Sequence, residues 1–284
     1  MFNSPVLVFD VETVPDVVSG RKALELDGID DQEVVRAMSH RRRQKTGGSD
    51  FLALHYHRIV AIAVALKEDD GFRVWSLGGA DSTEKELLER FFSGVERYDP
   101  ILVSWNGSGF DLPVIHYRAL YNGAISTRYW ETGDTDREFR WNNYVNRYHW
   151  RHIDLMDVLS GFQARATAPL DEIAQLLGLP GKMGMSGADV WRQYNAGHIE
   201  TIRNYCETDV LNTYLIYLRF QYIRGHLTPD SYELEIDRVR SPKKHATDRD
   251  CVAQAGLWLP RSPITRAINR CLALRRATAT SARS

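Results

Sequence analysis

Two carboxylates, Asp10 and Glu12, stand two residues apart directly after the apolar run Val6 to Phe9. On an extended strand, residues at that spacing project from the same face of a sheet. Two ionised carboxylates held side by side repel unless a cation is shared between them, and hard divalent ions such as Mg²⁺ favour oxygen ligands of this kind. The alternative is a pair of solvated acids at a strand end. A third carboxylate, Asp111, follows the loop Asn106-Gly107-Ser108-Gly109-Phe110, whose two glycines let the backbone approach a ligand. Asp111 opens a segment of helical spacing with Pro113 in its first turn, so an N-cap is its alternative role. Tyr205 and Asp209 lie four apart in Ile202 to Leu218, which reads as one long helix, and so share a face one turn apart. A tyrosine titrating near 10 is a poor base at neutral pH, but its hydroxyl can orient a water. A buried tyrosine bonded to a nearby aspartate is the plainer alternative.

The elements that must position these groups follow from hydrophobic spacing. Val6 to Phe9 and Ile59 to Leu66 read as buried strands, and Phe72 to Leu77 as a third that forms a hairpin with the second through Asp69-Asp70-Gly71. Ser82 or Thr83 can cap a helix, with Glu86 three residues after Thr83 and Leu87, Leu88, Phe91, Phe92 and Val95 on one face. Ile101 to Ser104 is a fourth strand, Phe110 to Tyr121 a helix, and Ile153 to Leu155 a further short strand. From there to Arg224 the pattern is mostly helical, with an irregular glycine-rich loop from Gly178 to Gly187. These features predict an α/β fold, a mixed sheet flanked by helices. Residues 19–50 read as an inserted, polar, partly helical excursion inside a domain spanning residues 1–225. Residues 226–284 form a C-terminal extension, partly helical or of a composition that need not order.

Composition narrows the classes. Lys and Arg total 36 against 37 Asp and Glu, so no overall positive field draws the chain onto nucleic acid or an anionic membrane, and any such contact is local. Cys206, Cys251 and Cys271 show neither a CxxC pair nor an even count, which argues against a disulfide framework or zinc cluster and makes a reducing cytoplasm the simplest home. No apolar run reaches the roughly 18 residues of a membrane-spanning helix, and the first residues lack the pattern of a secretion signal.

Taken together, Phe9-Asp10-Val11-Glu12-Thr13, Asn106-Gly-Ser-Gly-Phe110-Asp111 and Tyr205-Cys-Glu-Thr-Asp209 resemble the three ordered motifs of the DEDD exonuclease superfamily in its tyrosine-bearing branch. The resemblance is to the stand-alone bacterial exonucleases related to the proofreading domain of B-family DNA polymerases, and it extends over about residues 4–225, including Gly178-Leu-Pro-Gly-Lys182 and Asp189-Val-Trp191. It implies a ribonuclease-H-like fold and hydrolysis of single-stranded nucleic acid from a 3′ end, with two Mg²⁺ or Mn²⁺ ions. In that arrangement Asp10 would touch both ions, Glu12 and Asp209 would complete the first, Asp111 would hold the second, and Tyr205 would align the attacking water. The histidine-bearing branch places His five residues before the last aspartate, where this chain has Asn204. The resemblance favours DNA as substrate. RNA with the same site is the near alternative, and a non-catalytic nucleic-acid-binding module the distant one.

Thr13, Asn106 and Phe110 flank the carboxylates and could hold the terminal nucleotide, Phe110 by stacking; Phe110 could equally be core, and Asn106 could hold a metal-bound water or merely close the turn. Lys182 could meet a phosphate, although its loop lacks the order of a nucleotide cradle. Trp105 fits the core better than the substrate. Arg41-Arg42-Arg43-Gln44-Lys45 could guide a substrate backbone or simply favour the C-terminal end of a helix. His55, His57, His149 and His152 lack zinc-ligand spacing and read as structural or as minor contacts. No sequence feature specifies a protein partner.

Overall fold

A computed structural model of the 284-residue chain describes residues 4–69, 71–179, 181 and 184–240. In chain order the elements are β1 (Val6–Pro15), α1 (Val17–Leu24), α2 (Asp31–Thr46), β2 (His57–Lys67), β3 (Phe72–Ser76), α3 (Glu84–Tyr98), β4 (Ile101–Ser104), α4 (Asp111–Asn122), β5 (His152–Asp154), α5 (Leu155–Leu159), α6 (Leu170–Leu177), α7 (Val190–Asn195), α8 (Ile199–Ile223) and α9 (Pro229–Arg240). The sheet has the order β3-β2-β1-β4-β5, with β1, β2 and β3 antiparallel in sequence and β4 and β5 parallel to β1. This is the mixed, helix-flanked sheet that the hydrophobic spacing predicts.

Both faces of β1 are buried, which is why its sequence is nearly continuous in apolar residues rather than alternating. Val6 and Val8 face the layer formed by α8, with Cys206, Val210 and Tyr214. Leu7, Phe9 and Val11 face the opposite layer, with Phe91 and Phe92 of α3 and Leu112 and Ile115 of α4. The strand continues past Phe9 to Pro15 because β2 pairs with it as far as Pro15↔His57, with a register shift between Glu12 and Thr13. Asp10 and Glu12 therefore sit within the strand, not at its end. Their cross-strand partners are Ala63 and Ala61, whose small side chains leave room above the two carboxylates for α8.

Three local differences from expectation have simple causes. Thr83 caps α3 by accepting from the Glu86 amide at 3.2 Å, but the Glu86 carboxylate turns along the helix to Arg90 at 2.8 Å instead of reaching back to the cap. Residues 19–50 are more helical than their polarity suggests, since α1 and α2 share a small core of Val34 and Met38 with Val17 and Leu24. They touch at Gly20, where a Cβ would fall 2.1 Å from the Met38 sulfur. Finally, α9 packs Ile236 and Val239 into the core beneath the sheet, so this part of the C-terminal segment belongs to the same layer as α8. Residues 241–284 lie outside the described residues.

Buried charge ties the layers together. Arg118 of α4 meets Asp16 at 2.6 Å and Glu84 at 2.6 Å, with side-chain exposures of 3%, 3% and 9%. Glu84 also accepts from the Ile59 amide of β2 at 2.7 Å. The cluster thus joins the end of β1, the start of α3, and β2 to the helix that carries Asp111. Removing one member of such a buried group strands the others without compensation. Arg118→Ala is expected to lower unfolding free energy by about 3–5 kcal/mol in urea titration; a loss under about 1 kcal/mol would mean that Asp16 and Glu84 are satisfied by other partners.

Candidate active site

The pairing of β1 with β4 stops at Val8↔Val103, and β4 then turns away into the loop before α4. Beyond that point the edge of β1 is open. Asp111 fills the gap: its Oδ1 accepts from the Val11 amide at 3.0 Å. It is not the cap of its helix, a position held by Phe110 without a side-chain bond. From the other layer α8 presents Tyr205, Cys206 and Asp209 to the face of β1 that bears Asp10 and Glu12. Glu12, Asp111, Tyr205 and Asp209 are buried and Asp10 is partly so. The five residues singled out from their spacing converge on one place.

Their electrostatics record that closeness. Burial, and then the charges of Asp111, Glu12 and Asp209, hold the Asp10 carboxyl well above the usual carboxylate range. Burial pushes Asp111 up to about 7, against the stabilising Val11 amide and with added repulsion from Asp154 and Asp209. The Tyr205 hydroxyl is driven far above its ordinary value by burial, by the Asp209 and Glu12 charges, and by its hydrogen bond to Asp209. It stays protonated at any working pH. The Cys206 thiol, 3.2 Å from Asp10 Oδ2 and 3.3 Å from the Asp10 carbonyl, is raised by burial and by Asp10, so it acts as a hydrogen-bond donor and not as a thiolate nucleophile. Ligand atoms of Asp10, Glu12 and Cys206 lie within 4.8 Å of one another. A set of four carboxylates beside a protonated thiol fits a hard divalent cation better than a soft one.

The loop from Trp105 to Phe110 is held from beneath by Asp154, which the sequence reading passed over. This buried carboxylate at the end of β5 accepts from the amides of Asn106 at 2.9 Å and Ser108 at 2.8 Å while capping α5 through the Met156 amide at 3.1 Å. An acid at a strand-to-helix junction is a cap signal that could have been noticed. The glycines of this loop answer to the protein's own side chains. A Cβ at Gly107 would fall 2.2 Å from Ser104 Oγ, and one at Gly109 would fall 2.4 Å from Asn106 Oδ1. Asn106 itself is left-handed, at φ 65°, a conformation asparagine tolerates.

Thr13 follows the register shift, and its Oγ1 lies 2.9 Å from His57 Nδ1. The opposite nitrogen, Nε2, is 3.3 Å from the Leu52 carbonyl, which can only accept. Burial lowers the His57 pKa, so the ring is neutral, carries its proton on Nε2 and accepts from the Thr13 hydroxyl. The Phe110 ring stands edge-on to His57 at 5.3 Å. Trp105 packs against the core and donates to the Ala168 carbonyl at 3.2 Å. His149 accepts from the Asn143 amide and His152 pairs with Ser104 Oγ at 2.8 Å, both structural roles. In the basic cluster at the end of α2, Arg43 pairs with Asp50 and Arg42 donates to the Phe51 carbonyl. Lys182 lies outside the described residues.

The five-stranded mixed sheet, with acids gathered over β1 between two helices, defines an α/β exonuclease of ribonuclease-H-like fold. Residues 49–254 match a family described as a predicted 3′-5′ exonuclease related to the exonuclease domain of PolB, and the chain belongs to that family. The match includes Asp111, Tyr205 and Asp209 and begins after Asp10 and Glu12. A DNA polymerase of Archaeoglobus fulgidus is 26% identical over 193 residues, which are 66% of this chain and 22% of the polymerase. The catalytic polypeptide of DNA polymerase epsilon from Dictyostelium discoideum is 28% identical over 140 residues, 48% of this chain and 6% of that polypeptide. The chain thus spans at most about a fifth of these curated relatives. Among the described residues no helix is long and apolar enough to cross a membrane.

The raised carboxyl pKa values have a consequence for stability. In the metal-free protein the folded state binds these protons more tightly than the unfolded chain, where Asp titrates near 3.9. The contribution is complete below about pH 4 and is lost as pH rises toward about 7, where Asp111 ionises. In EDTA the melting temperature should fall over that interval, less steeply in Asp111→Asn. Added Mn²⁺ should raise it more at about pH 8 than at about pH 5, because binding requires deprotonated ligands. Equal Mn²⁺ shifts at both pH values in differential scanning calorimetry would contradict the assignment.

Proposed function

We propose that this chain hydrolyses the terminal phosphodiester bond at the 3′ end of single-stranded DNA and releases nucleoside 5′-monophosphates. The carrying observation is the convergence of Asp10, Glu12, Asp111 and Asp209 with a tyrosine bonded to the last of them. In this reading the protein is of the DEDD type with tyrosine, and the four carboxylates hold two Mg²⁺ or Mn²⁺ ions. Bound ions would lower the pKa of an attacking water and stabilise charge on the leaving 3′-oxygen.

Each side chain has a task of its own. Asp10 and Glu12 project from one strand face and Asp209 faces them from α8, so the ligands are fixed by two rigid elements. Tyr205 donates to Asp209, which leaves its oxygen lone pairs to accept from a water; being protonated, it positions that water and does not act as its base. Cys206 donates to Asp10 Oδ2 and so orients that carboxylate. In the same reading Thr13, Asn106 and Phe110 would contact the terminal nucleotide, and Lys182, outside the described residues, a phosphate. DNA is favoured over RNA because both relatives named above are DNA polymerases. The cytoplasm, a reducing compartment, suits the Cys206 thiol.

A 5′-labelled single-stranded DNA and its RNA counterpart, each with Mg²⁺, Mn²⁺ or EDTA, test the proposal. A metal-dependent ladder shortening from the 3′ end is expected, faster on DNA, and absent for Asp10→Ala and Asp209→Ala variants that keep the wild-type circular dichroism. Tyr205→Phe should slow turnover by roughly 10²-fold, the cost of a misplaced reactant, while Mn²⁺ binding persists. Substantial activity in either aspartate variant would refute the site, and a folded protein that cleaves neither polymer with any metal would instead be a binding module.

A further inference from the structure

The excursion between β1 and β2 builds more than its own small core. Where its last turn meets α4, a cavity of about 350 Å³ opens, lined by Arg42, Phe51, Leu54, His55 and Tyr117 among others. That volume falls within the roughly 300–1,000 Å³ of small-ligand sites. Two of its rings stand in the open, Phe51 at 55% and Tyr117 at 48% exposure. His55, also in the lining, meets Tyr117 edge-on at 5.8 Å. Arg42 is tethered through Nε to the Phe51 carbonyl at 3.0 Å. Its neighbour Arg43 is neutralised by Asp50, whereas Arg42 makes no ion pair among the described residues.

The cavity is separated from the residues that flank the carboxylates by a single layer of rings. The Phe51 ring lies 5.1 Å from His57 and 6.0 Å from Phe110. Phe110 precedes Asp111, and His57 holds Thr13 next to Glu12. Residues adjacent in sequence to Glu12 and Asp111 are thus linked through His57 and Phe110 to a cleft that combines exposed rings with a guanidinium. Ring faces stack on any unpaired base, and a guanidinium matches a backbone phosphate. With a net charge of only −1 over the chain, such a contact must be local, and Arg42 supplies one here.

Resting on the exonuclease function proposed above, we infer that this cavity is a second nucleotide subsite. The base of an unpaired nucleotide on the 5′ side of the scissile one stacks on Phe51 toward Tyr117, and Arg42 meets its phosphate. The excursion thereby sets the length and the single-stranded character of the preferred substrate, since a base stacked in a cleft cannot stay paired.

The full chain is assayed on the p-nitrophenyl ester of thymidine 5′-phosphate, which has no upstream nucleotide, and on oligothymidylates of increasing length. The readout is the ratio of kcat/KM on a long substrate to that on the ester. Phe51→Ala and Tyr117→Ala should each lower that ratio by roughly five- to 100-fold, the range for loss of one base stack. Should Phe51→Ala fail to fold, Phe51→Leu keeps the apolar volume and removes the stacking face. As a second readout, 5-iodouracil placed next to the 3′-terminal nucleotide should photocrosslink in EDTA to peptides containing Phe51 or Tyr117. A wild-type ratio in both variants, or crosslinks confined to other surfaces, overturns the subsite. Wild-type protein inert on the ester and on every oligonucleotide overturns the exonuclease function itself, and the subsite with it.

Discussion

Mutual repulsion among buried carboxylates governs this molecule. Burial raises the pKa of Asp10 most, and the charges of Asp111, Glu12 and Asp209 add to the penalty. An arrangement of this kind works against folding unless something positive is shared among the oxygens. A divalent ion shared among these oxygens, as proposed above, would relieve that repulsion, and the family to which the chain belongs is one of predicted exonucleases.

Holding four like charges together demands a scaffold that does not relax, and the fold supplies it from three directions. The early end of β4 leaves the Val11 amide open, and Asp111 takes it. The Arg118 cluster fixes the helix behind Asp111 to β1, β2 and α3. On the other face, α8 is buried along most of its length, so Tyr205 and Asp209 are placed by the packing of the whole helix. Ala61 and Ala63 complete the arrangement by leaving space where larger residues would displace the acids.

Much of this was legible in the sequence, because spacing is a geometric statement. Two acids at alternate positions of an apolar run must share a sheet face, and Tyr205 and Asp209 must share a helix face. The strands and main helices could be read for the same reason. What escaped notice depends on partners distant in sequence. Asp154 cradles a loop 46 residues before it, and no local pattern signals that. The glycines of that loop were read as room for a ligand, yet Ser104 and Asn106 occupy the space a Cβ would need. Cys206 was read only as one of three cysteines without pair spacing, because its partner Asp10 is distant in sequence. The partly helical character of residues 19–50 was legible, but not that α1 and α2 bury their apolar residues against each other and not against the sheet.

The central claim, that these carboxylates are one shared cation site, is tested most directly by isothermal titration of the wild-type protein with Mn²⁺ in two buffers of different ionisation enthalpy. Saturable binding accompanied by proton release near neutral pH, and lost in Asp10→Asn, is the predicted result. Absence of binding, or binding that releases no protons and survives Asp10→Asn unchanged, would contradict it.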